Sequence, residues 1–78
     1  MSEANSPGLT GVRRGAVQTY DRARGLGVVV EAGGAAYAFH ATAIADGSRM
    51  IEADTEVTFL VAPGHLGRYE ARSVAPTG

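Results

Sequence analysis

Short extended runs broken by glycine turns fill the chain from Gly15 to Val74, and they leave little room for any fold but a small curled sheet. Gly15–Tyr20 reads as a first strand, with Val17 apolar beside the polar Gln18 and Thr19, and Asp21-Arg22-Ala23-Arg24-Gly25 is the turn after it. Leu26–Glu31 is a second strand, a valine run whose β-branched side chains suit a pleated surface. The paired glycines of Ala32-Gly33-Gly34-Ala35 supply the positive φ of a hairpin loop. In Ala36–His40, Tyr37 and Phe39 alternate with Ala38 and His40, so one face of the third strand is aromatic and the other nearly bare. Thr42–Ile44 fits a short helical turn closed by Ala45-Asp46-Gly47-Ser48. Glu56–Val61 is a fourth strand, with Val57, Phe59 and Val61 on one face and Thr58 and Leu60 on the other. Ala62-Pro63-Gly64-His65-Leu66-Gly67 is a loop, and Arg68–Val74 is a fifth strand.

Five such strands in 78 residues make one domain. The expected fold is all-β, a five-stranded antiparallel barrel over residues 14–75 with its longer connection between the third and fourth strands. Residues 1–13, small, polar and aperiodic, are expected to form a flexible arm, and 76–78 a tail. Closing the sheet removes the unpaired edges that invite aggregation. The expected interior is Val17, Val29, Tyr37, Phe39, Ile44, Ile51, Val57, Phe59, Val61 and Val74, and burial of each large member contributes about 1.5–3 kcal/mol. A chain this short buries only about 60% of its unfolded surface, so its margin of stability is narrow.

Composition excludes more than it assigns. The formal net charge is −1, which gives no bulk attraction to a polyanion. All 7 basic residues are arginines, in a chain rich in alanine and glycine, a usage that suggests a GC-rich genome. With no cysteine there is neither a disulfide nor a thiolate metal site. His40 and His65 lack a third ligand at motif spacing, so no metal is expected. Gly25-x-Gly27 opens no helix and is followed by no third glycine at the right place, so no dinucleotide cofactor is implied. No serine or threonine stands with a histidine and an acid in a local motif, and an enzyme is not expected. Glu52, Asp54 and Glu56 alternate; if extended they solvate one side of the entry to the fourth strand and repel phosphate there. No segment is long and apolar enough to span a membrane. The first residues carry neither the basic start nor the apolar core of an export signal, and a cytoplasmic protein is expected.

Gly15, Val17, Tyr20 and Asp21, then Arg24-Gly25-Leu26-Gly27-Val28-Val29, then Phe39-His40 with Ala43-Ile44, then Gly67, Ala71 and Val74 follow one another in an order that spans most of the chain. In that order they resemble the cold-shock domain, a barrel of the oligonucleotide-binding (OB) type. Its first strand and first motif run roughly G-x-V-x-W-F-N-x-x-K-G-F-G-F-I, its second motif V-F-V-H-F-S-A-I, and its last strand G-x-x-A-x-x-V. Arg24 stands where the family usually has lysine, Tyr20 for phenylalanine, Asp21 for asparagine, and His40 for the histidine of the second motif. The loop before the last strand is slightly longer here. The resemblance implies a binder of single-stranded RNA or DNA that acts in the regulation of gene expression.

The family's stacking surface does not carry over. Position by position, its exposed tryptophan becomes Thr19, the phenylalanines of the first motif Leu26 and Val28, and those flanking the histidine Ala38 and Ala41. The phenylalanine of the loop after the third strand has no counterpart near Gly47–Arg49. A base stacked on an aromatic ring is worth about 1–3 kcal/mol, so losing four or five rings removes on the order of 5–10 kcal/mol, allowing for non-additivity. Arginine pairs with phosphate bidentately and stacks on bases, and Arg13, Arg14, Arg22 and Arg24 cluster around the first strand and its turn, either as phosphate contacts or as solvated surface charges balanced by Asp21 and Glu31. The expected site is Thr19, Arg22, Arg24, Leu26, Val28, Ala38 and His40, binding a single strand weakly and through charge. The alternative is a protein-interaction or self-association module that has lost nucleic acid and uses the smooth, weakly apolar face of Thr19, Leu26, Val28, Ala38 and Ala41. Tyr69 either adds one ring to a ligand site near the last strand or takes an edge or core role.

Overall fold

A computed structural model describes residues 11–64 and 67–77. Most of the expected arm, residues 1–10, and His65 lie outside the described residues. The strands are β1 Arg13–Asp21, β2 Leu26–Glu31, β3 Ala36–His40, β4 Glu56–Pro63 and β5 Tyr69–Pro76, with a 3-10 turn at Ala41–Ala43 after β3. They close into a barrel in the order β1-β2-β3-β5-β4. A ring of five strands cannot alternate in direction all the way round, so one pairing must be parallel. It falls between β3 and β5, where a single register pair, Ala38 opposite Glu70, joins the strands. The remaining pairings are antiparallel.

The turns form where their residues favour them. Gly25, at φ 69°, donates its N–H to the Asp21 carbonyl at 2.8 Å, and the Asp21 carboxylate accepts the Arg24 N–H at 3.1 Å. Between β2 and β3 the Glu31 N–H bonds the Ala35 carbonyl at 2.7 Å, and Gly34 supplies the positive φ. The acidic run before β4 is not extended. Ala53 and Asp54 form a turn with Asp54 at φ 71°, so Glu52, Asp54 and Glu56 do not share one side of a strand.

Two bulges decide which side chains point inward. On β1 the register against β2 slips between Val17 and Thr19, which leaves Gln18 as an extra residue. Strict alternation after Val17 would send Thr19 inward and Tyr20 outward; the bulge reverses both. Tyr20 is half-buried and its ring stacks on Phe39, with centroids 5.8 Å apart and planes 5° from parallel. On β5 a slip against Thr58 and Leu60 of β4 coincides with Ser73 at φ 52°, so the inward residues are Ala71 and Val74, three apart rather than two.

The core is Val17, Val29, Phe39, Ile44, Val57, Phe59, Ala71 and Val74, flanked by half-buried Tyr20, Tyr37, Ala43, Ile51 and Val61. Tyr37, Ile51 and Val61, expected inside, thus line the edge of the core rather than its centre. The barrel end near Tyr37 carries a polar cap. Arg13 donates from Nη1 to both carboxylate oxygens of Glu31 at 2.9 and 3.0 Å, and the Tyr37 hydroxyl reaches Glu31 Oε1 at 3.4 Å.

Gly27 lies opposite Phe39 in the β2–β3 register. A Cβ there would stand 2.5 Å from Phe39 Cζ and 2.8 Å from the Thr19 carbonyl oxygen. Gly27→Ala therefore displaces either the ring or the β1–β2 pairing, and is expected to lower stability by about 1–3 kcal/mol. Urea unfolding checks this; a midpoint equal to that of the wild type would mean the ring has room to move.

Candidate nucleic-acid interface

Alternation along each strand puts every residue opposite the core of β1, β2 and β3 on one outer surface. The register then orders that surface. Thr19 stands opposite Val28, and Val28 opposite Ala38. Beside this row runs a second, in which Asp21 faces Leu26 and Leu26 faces His40. Thr19, Leu26, Ala38 and His40 are exposed and Val28 is half-buried. The first row continues across the parallel pairing from Ala38 to Glu70.

Arg22 and Arg24 occupy the turn that leaves the Asp21 end of the second row, and both are exposed. Among the described residues neither guanidinium has an acid partner. Sequence-expected Thr19, Arg22, Arg24, Leu26, Val28, Ala38 and His40 thus lie along one face and its bordering turn.

Three other candidate residues do not join them. Ala41 is buried, because the chain leaves β3 at His40 and turns inward. Its N–H bonds the Gly25 carbonyl at 2.8 Å beneath the β1–β2 turn. Arg13 is held by Glu31 in the barrel cap, where the carboxylate offsets its charge. Arg14 is exposed but lies toward the other end of β1, opposite Thr58 of β4.

One contribution escaped the sequence. The Tyr20 hydroxyl, turned by the bulge, donates to the Arg49 carbonyl at 2.7 Å and ties the loop before β4 to the end of β1. That loop is internally braced. Ser48 donates its N–H to the Asp46 carboxylate at 2.8 Å and its hydroxyl to the Met50 carbonyl at 3.0 Å. The backbone hydrogen bond from Ser48, and then its side chain, hold the Asp46 carboxyl below the usual carboxylate range. The loop presents an exposed Met50 side chain and the exposed Arg49. No phenylalanine marks it; Tyr20, turned by a bulge, ties it to the end of β1 at Arg49, and backbone bonds of Asp54 and Thr55 with Val17 tie its last residues to the middle of β1.

The surface is electrostatically mixed. Cations at the turn are offset by Asp21 in the second row and Glu70 beside Ala38. Among the described residues no three His, Cys, Asp or Glu side chains gather as a metal site would require, and no helix is long and apolar enough to cross a membrane. Strand order and closure define a small OB-like β-barrel, here with a smooth outer face bordered by arginine. Compared with protein-family models and with curated proteins, the chain matches none.

Proposed function

We propose that this barrel is a divergent cold-shock-type domain that binds single-stranded RNA or DNA weakly, in the regulation of gene expression. The observation that supports it is the register itself. Thr19, Val28 and Ala38 form one cross-strand row, Leu26 and His40 the next, and Arg22 and Arg24, with no acid partner among the described residues, stand at the end of the second. Such a face has room for bases lying flat and cations for the phosphates, with one ring, His40, among its outward side chains. Affinity rests on charge more than on stacking, so it falls steeply with salt.

The test is an NMR amide titration with a pyrimidine-rich strand of about seven nucleotides, at low and near-physiological salt; a site of this kind tracks one short strand. Shifts at residues 22–28 and 38–41 that shrink with salt are expected. Arg24→Ala should weaken binding and flatten the log–log salt slope by about 0.7, the value for one phosphate contact on a single strand. An unchanged slope removes Arg24 from phosphate binding. No shifts at millimolar oligonucleotide would overturn the nucleic-acid reading. The apolar face would then be tested for self-association by the dependence of molecular mass on concentration.

A further inference from the structure

Ala38 belongs to the face just described, and it also borders a groove on its far side. The β3–β5 pairing has one register pair, so the strand segments before Ala38 and Glu70 meet without ladder pairs between them. Ala36 and Ala38 contribute only methyl groups to the gap. The result is a groove of about 590 Å³ lined by Ala36, Tyr37, Ala38, Arg68, Tyr69 and Glu70. Its size is in the range of small-molecule sites, about 300–1,000 Å³.

Tyr69 stands at this groove with 62% of its surface exposed, the only exposed tyrosine or phenylalanine among the described residues. The other tyrosine and phenylalanine rings are buried or half-buried, so one such ring stands in water, beside a face whose own ring is His40. Arg68, next along the chain, is exposed and has no acid partner among the described residues. Glu70 lines the groove too, with its side chain folded against Gly64, where a Cβ would collide with it.

We propose that the β3–β5 groove holds one nucleobase of a single strand, stacked on Tyr69 over the methyl floor of Ala36 and Ala38, with an adjoining phosphate at Arg68. This rests on the function proposed above and adds a stacking position beyond β1, β2 and β3. Stacking suits the site because every base has a π-face, and a tyrosine ring offers its own without needing a particular base. The guanidinium of Arg68 supplies the matching charge. Alanine at positions 36 and 38 has a purpose here: a larger side chain would occupy the space that the base needs.

The same heptanucleotide titration, run on wild type, Tyr69→Phe, Tyr69→Ala and Ala38→Leu, tests it. The expected result is that amides of residues 67–70 shift together with those of 22–28. Tyr69→Ala should weaken binding about 5- to 150-fold, the range for loss of one stacked base. Tyr69→Phe should bind within about twofold of wild type, since the π-face remains. Ala38→Leu should abolish the shifts at 67–70. Dispersed amide spectra of each free variant confirm that it folds. Silent amides at 67–70, or wild-type affinity for Tyr69→Ala, with normal shifts at 22–28, would overturn the groove and leave the face standing. Shifts confined to 67–70 would keep the groove and overturn the face. No shifts anywhere would overturn both.

Discussion

Phe39→Ala is expected to cost about 3–5 kcal/mol and to leave the chain largely unfolded at 25 °C. A single core below 70–80 residues rarely supplies more than about 3–5 kcal/mol in total, so the substitution removes most or all of the margin. The site cannot collapse to limit the loss. Phe39 is 1% exposed, Tyr20 stacks flat on one side of it, and the residue opposite on β2 is Gly27, which has no side chain to move into the void. Losing the Tyr20–Phe39 stack adds about 0.5–1.5 kcal/mol beyond the area effect. It also frees Tyr20, whose hydroxyl holds the loop before β4 at Arg49. Far-UV circular dichroism against temperature reads the outcome. A cooperative transition within a few degrees of wild type would mean that Phe39 is not the centre of the core.

That ring was legible from alternation alone, because Tyr37 and Phe39 share one face of a short strand and the facing positions are small. Glycine turns and valine runs likewise placed β2 and β3 at the bounds the structure has. What alternation could not supply was the effect of an inserted residue. Gln18 and Ser73 look like ordinary polar strand positions, yet the slips beside them turn Thr19 outward, Tyr20 inward, and set Ala71 and Val74 three apart. The ion pair of Arg13 with Glu31 was readable only in part: Glu31 was expected to balance the arginine cluster, but not which arginine it would hold. Eighteen residues separate them in sequence, and only the β1–β2 register brings both to one end of the barrel. Of the candidate site, residue types were readable and adjacency was not. The motif order suggested Leu26, Val28, Ala38 and His40, while the rows they form, and the groove beyond Ala38, depend on pairings between strands distant in the chain.

The second large effect is a gain. The double substitution Leu26→Phe and Val28→Phe is expected to raise affinity for a pyrimidine-rich single strand by roughly 30-fold to 10⁴-fold, from about 1–3 kcal/mol for each added stacking ring. The barrel should accept both. Leu26 is 41% exposed and Val28 half-buried, both point away from the core on β2, and phenylalanine favours extended backbone. The rings would stand beside His40 and Ala38, their register partners on β3, and would share one surface with the arginines of the preceding turn. The salt dependence separates this gain from a nonspecific one. Phenylalanine adds no cation, so affinity should rise at every salt concentration while the log–log slope stays as in the wild type. A steeper slope would mean that the strand had moved onto new phosphate contacts. Unchanged affinity in a folded double variant would mean that no bases lie over β2, and the smooth outer face would then have to be explained by a protein that covers it.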